Sequence, residues 1–187
     1  MTRAQSSAVT LEPEAPQTAG TRVFAFEWVA LDTLGKQPLK DALACWSRLR
    51  GERSFPTRND LKVREIAALL PYISLLKVID DGADFEHRIV GDTLVRTLDV
   101  PIQNRRFSDI ASDAPGFSYV SVQLFRKAFE ARAPLAWRHH TSSDESHVVF
   151  TETNVLALPL SNDGGTIDHL AVFAVYEHRT SPSSQPN

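Results

Sequence analysis

The stretch Pro71–Gly91, PYISLLKVIDDGADFEHRIVG, constrains this chain more than any other. Two apolar, β-prone runs, Ile73–Ile79 and Phe85–Val90, flank Asp80-Asp81-Gly82-Ala83-Asp84. Glycine accepts positive φ and aspartate can bond the local backbone, so Asp-Gly favours chain reversal. Gly91 then stops the second run. The segment predicts a hairpin that founds an antiparallel sheet, and the rest of the chain must cover it.

The flanking segments supply that cover. Pro38–Arg50, PLKDALACWSRLR, is a predicted helix, with Pro38 in its first turn and Gly51 closing it. Leu39, Ala42, Leu43, Trp46 and Leu49 form its apolar stripe. A short helix is expected around Val63–Leu70, ended by Pro71, and one or two helical turns around Leu94, Val95 and Leu98. Pro115–Arg132 reads as the longest helix. Phe117, Val120, Leu124, Ala128 and Ala131 form one stripe, and Val122, Phe125 and Phe129 another. A helix apolar on two sides should lie on the sheet and touch a second element.

Three strands are expected to finish the fold: Leu135–Thr141, His147–Leu160 and His169–Tyr176, the last two joined through Asn162-Asp163-Gly164-Gly165. Thr21–Leu34 is ambiguous. Val23, Ala25 and Phe26 fit a strand, while Phe24, Trp28 and Leu31 fit one helical face. Residues 1–36 are expected to be largely disordered, 37–178 to form the domain, and 179–187 to be a disordered tail. Two hairpins separated by a helical excursion imply an α+β layer with helices on one face of the sheet.

Composition narrows the function. At 187 residues, 42% hydrophobic and 23% charged, the chain is an ordinary globular domain. A net charge of −3 gives no reason to invoke nucleic acid or an acidic membrane surface. No apolar run reaches the roughly 18–20 residues that cross a bilayer, and the first residues lack the apolar core of a signal peptide. A cytoplasmic location is the expectation. Cys45 is the lone cysteine, which excludes an internal disulfide and a Cys-cluster zinc site. Its apolar helical setting suggests a buried structural thiol.

The residues in order resemble the PAS domain, in particular small bacterial proteins in which that domain stands free. The resemblance runs through Trp46-Ser47-Arg48-Leu49-Arg50-Gly51, Phe55-Pro56-Thr57-Arg58 and Leu69-Leu70-Pro71. It continues through Leu76-Lys77-Val78, Phe85-Glu86-His87-Arg88-Ile89-Val90-Gly91 and Phe107-Ser108-Asp109-Ile110, covering about Pro38 to Glu177. Leu61-Lys62-Val63 departs from it, where an Asp- or Pro-rich turn would be expected. The resemblance implies a five-stranded antiparallel sheet with helices over one face, an N-terminal helix and a small-molecule pocket. It also implies a sensory or regulatory role, often as a homodimer, with a partner signalling protein receiving the output.

On that basis the expected pocket residues are His87, Arg88, Leu94, Phe107, Leu124, Phe125 and Trp137, and the expected dimer surface is Leu39, Leu43 and Trp46. No cofactor is named by the sequence. His139, His140 and His147, with Asp144 or Glu145, have metal-ligand chemistry, but adjacent strand residues point to opposite faces. Exposed hairpin histidines are the default, and no metal site is assigned. His87 should share a side with Phe85 and Ile89, as a hydrogen-bonded core histidine in preference to a ligand contact.

Haem would need a helical histidine, and Pro115–Arg132 has none. Gln103-Asn104-Arg105-Arg106-Phe107 resembles the flavin segment of light-sensing PAS domains, but Arg105 stands where those need a thiol. Arg58 and Arg88 suit an anion in principle. Pairing with acids or backbone carbonyls is the simpler role for both. No Gly-x-Ser-x-Gly, His-Glu-x-x-His or phosphate loop is present, so a non-catalytic module is expected. The alternative is a small α+β enzyme or carrier using the same pocket.

Overall fold

The computed structural model of the chain describes residues 22–98, 100–142 and 149–180. The expectations for the N-terminal stretch 1–21, for His147, Asp144 and Glu145, and for the last residues 181–187 lie outside these. Six strands form one antiparallel sheet: β1 (Arg22–Val29), β2 (Ile73–Ile79), β3 (Asp84–Val90), β4 (Leu135–Ser142), β5 (Val149–Leu160) and β6 (His169–Thr180). Their order across the sheet is β1-β4-β5-β6-β2-β3. Helices α1 (Gln37–Arg50), α2 (Val63–Ile66), α3 (Asp92–Thr97), α4 (Phe107–Ile110) and α5 (Pro115–Ala131) complete it. The α+β class stands, with six strands in place of five.

The extra strand is β1, in the stretch whose type the sequence leaves open. It pairs with β4, placing Trp28 opposite Trp137 and Phe26 opposite His139. A strand rather than a helix wins because both aromatics then face one side, onto a ready ring surface.

Register assigns the two faces. Trp137, Val155 and Ala174 lie side by side, so do Ala157, Val172 and Ser74, and Leu76 lies between Leu170 and His87. This face meets α5, because Phe125 packs on Trp137. The other face carries Leu156, Leu158, Leu160, Ala171 and Phe173, all buried. It is covered by α1, which lies against β5 and β6. The central strands are therefore sandwiched, which explains their apolar runs without alternation.

The α1 stripe points into this second face. Leu39 is 1% exposed and Trp46 4%, Leu43 is half-buried against the same core, and Trp46 Nε1 donates to Pro159 O at 2.8 Å. The stripe named above, Leu39, Leu43 and Trp46, thus packs on the chain's own sheet. An apolar stripe must be buried, and the nearest apolar face is intramolecular.

The founding hairpin forms as expected, with two refinements. Its turn, Asp80–Gly82, has positive φ at Asp80 (46°), Asp81 (52°) and Gly82 (84°). Helix α5 clamps it, Arg126 donating to Gly82 O at 3.1 Å and Ala83 O at 3.2 Å. The second refinement is a β-bulge. Leu75 pairs with Ile89 but Leu76 with His87, leaving Arg88 as the extra residue. The alternation that places Ile89 beside His87 therefore breaks, and Ile89 lies on the α1 side, opposite Leu75.

Candidate functional site

Between the sheet and helices α4 and α5 lies a run of aromatic rings. His87 stacks on Phe107 with centroids 4.6 Å apart. Phe107 touches Phe117 and Phe125, each at 5.6 Å. Phe125 meets Phe85 at 5.8 Å and Trp137 at 5.9 Å. Trp137 meets Trp28 at 6.1 Å, and Trp28 meets Phe26 at 4.8 Å. The rings span the sheet from β3 to β1. Alternation in β3 and β4 aims Phe85, His87 and Trp137 inward, and the α5 stripe supplies Phe117 and Phe125.

His87 is the polar centre of this run. It is 1% exposed, and its Nδ1 lies 3.0 Å from Ser74 Oγ on the neighbouring strand. Its backbone is held by the segment before α4: His87 N donates to Arg105 O at 3.1 Å, and Asn104 N donates to His87 O at 2.7 Å. Burial lowers the imidazole pKa to about 4, against a smaller opposing pull from Asp84. The ring is neutral at pH 7.

Among the described residues, three buried nitrogens have no hydrogen-bond partner: His87 Nε2, Trp137 Nε1 and His139 Nδ1. Such atoms are rare, because an orphaned buried donor costs about 1–3 kcal/mol. His139 is half-buried rather than an exposed hairpin residue, since Phe26 of the added strand lies opposite it. Burial and then His140 lower its pKa to about 4. His140 sits on the opposite face, beside Glu152, as adjacent strand residues must.

Of the expected pocket residues, His87, Phe107, Phe125 and Trp137 come together in the ring run. Leu94 and Leu124 are buried in the same core. Arg88 does not join them. Adjacent to His87 on the strand, it points away from the rings and pairs with Glu86 at 2.5 Å on the exposed edge. Arg58 is exposed at the turn Arg58–Asp60. Arg105, at the position of the missing thiol, ties its own loop together through Pro101 O, Asp109 O and Asp113 Oδ2.

Phe85, Phe117, Trp28 and Ser74 are members that sequence reasoning did not select. Phe85 was within reach, two residues before His87 on the same face. Ser74 follows from the pairing of Leu76 with His87, since it lies two residues before Leu76 on the same face. Among the described residues no cluster of three or more His, Cys, Asp or Glu side chains forms a metal cage.

A PAS domain family model matches residues 35–173. The chain belongs to the PAS domain family. No curated protein and no solved structure matches it. The match begins after β1 and ends within β6, so the sixth strand, β1, lies outside the matched residues. PAS domains are sensory and regulatory modules, and in this chain the ring run lies where the sheet meets helices α4 and α5. No helix of the described residues is long and apolar enough to cross a membrane.

Proposed function

We propose that the chain is a cytoplasmic, non-catalytic sensory or regulatory module. It takes a small molecule between the inner sheet face and helices α4 and α5, and passes the change to a partner protein or a second copy. The observation that supports this reading is the pair of buried, unpartnered nitrogens, His87 Nε2 and Trp137 Nε1, within one ring run. A purely structural core would replace them with apolar groups, because their desolvation is otherwise uncompensated.

The mechanism is a population shift. A ligand that binds one packing of α5 on the sheet better than another favours that packing. The contacts available to carry the change are Arg126 on the hairpin turn and Trp46 on Pro159, which joins the sheet to α1.

Native and denaturing mass spectrometry of the full chain, before and after incubation with a small-molecule extract of its expression host, tests the reading. A retained mass that is released on unfolding is expected, with slowed hydrogen exchange in β3 and α5. A bare chain mass with unchanged exchange in both elements would overturn it.

A further inference from the structure

The unpartnered atoms also specify what kind of molecule the site takes, if the ligand-binding role above is granted. Trp137 Nε1 is a donor and nothing else. For His87 the tautomer follows from Ser74. Its hydroxyl has no other acceptor among the described residues, so it donates to His87 Nδ1 and leaves the ring proton on Nε2. Of the three orphaned nitrogens, Trp137 Nε1 and His87 Nε2 are then donors, in residues 2% and 1% exposed. What they lack is an acceptor.

Charge narrows the class further. Among the described residues no lysine or arginine is buried. Glu152, the buried acid, belongs to the opposite face, where it lies beside Arg138 and accepts from Asn154. The inner face thus offers no counter-ion to a phosphate, a carboxylate or an ammonium, and burying an unpaired charge there is costly. The surrounding groups are flat rings: Phe85, Phe107, Phe117, Phe125 and Trp28.

We infer that the ligand is an uncharged, flat, largely apolar molecule carrying at least one carbonyl-type acceptor, which accepts from Trp137 Nε1–H, His87 Nε2–H or both.

Matched probes test the class. The full chain, 15N-labelled, is titrated with indane and 1-indanone, with fluorene and fluorenone, and with indane-1-carboxylate. Each ketone is expected to bind about tenfold more tightly than its hydrocarbon, the worth of one buried hydrogen bond. It should also move one indole N–H signal that is missing from Trp137→Phe. In Trp137→Phe and His87→Leu together, with folding confirmed by circular dichroism, the ketone advantage should vanish. Hydrocarbons binding as tightly as the ketones, or the carboxylate binding best, would overturn the acceptor class while leaving a binding site. No probe moving any inner-face signal at millimolar concentration would overturn the site itself, and the class with it.

Discussion

The hydroxyl of Ser74 lies 3.0 Å from Nδ1 of His87, across the β2–β3 pair and on the face that meets α5. Alternation makes this possible, because Leu76 pairs with His87, and Ser74, two residues before Leu76, points to the same face. With the Ser74 hydroxyl donating to Nδ1, the ring proton sits on Nε2, which is then the free donor.

The same burial predicts an acid-sensitive fold. His87 titrates near 4 in the folded chain and near its ordinary value of 6.5 when unfolded. The folded state then binds fewer protons between these values, so stability falls as pH drops from about 6.5 to about 4. Above 6.5 its contribution is complete. The integrated loss from this residue is on the order of 3 kcal/mol. Urea unfolding at a series of pH values should show it, and His87→Gln should flatten the profile by a comparable amount. His139, lowered for the same reason, should leave a residual slope in that variant.

Gly91 predicts a backbone clash rather than a conformational penalty. Its φ is ordinary at −72°. A Cβ there would lie 2.5 Å from Pro71 O, 2.6 Å from Leu70 O and 2.8 Å from Ile73 O. Three carbonyls cannot all retreat, since Gly91 N also donates to Ile73 O at 2.6 Å. Gly91→Ala should cost about 3 kcal/mol by overpacking, seen as a drop in Tm of roughly 6 °C or more. An unchanged Tm would contradict the close approach of the two chain segments.

These two residues mark what the sequence makes legible. The hairpin could be read because two β-prone runs flank an Asp-Gly turn, and His87 because it shares a face with Phe85. The bulge could not, since counting by twos assumes an unbroken strand, and that count puts Ile89 on the His87 face. The α1 stripe was visible, but a stripe says only that a face is buried. Whether Leu39 and Trp46 meet a second copy or their own sheet depends on tertiary order. In β1 the aromatics at Phe24, Phe26 and Trp28 fit two periodicities, and the ring surface offered by Trp137 decides between them.

Trp46 tests the inward direction of α1. Trp46→Phe keeps the ring's bulk but removes the donor to Pro159 O, leaving a buried carbonyl short of a partner. A loss of about 1–3 kcal/mol is expected, measured by denaturant midpoint at constant m. Leu39→Asp, which buries an unpaired charge against the sheet, should abolish the folded state. If Leu39→Asp instead stays folded and only shifts the mass in sedimentation, the stripe is an intermolecular surface after all.

The added strand gives the last test, because β1 lies outside the span matched by the family. If it belongs to the working domain, its rings must contribute stability. Trp28 is half-buried and meets Trp137 and Phe26 edge-on. Trp28→Ala should therefore cost about 2 kcal/mol, from lost apolar area plus two ring contacts. It should also expose one side of Trp137, giving a red shift in the tryptophan fluorescence that is absent from the Trp28→Ala/Trp137→Phe pair. A double-mutant cycle between the two should return a coupling of about 0.5–1.5 kcal/mol. Coupling near zero would mean that β1 is detached from β4 in solution, and the ring run would then end at Trp137.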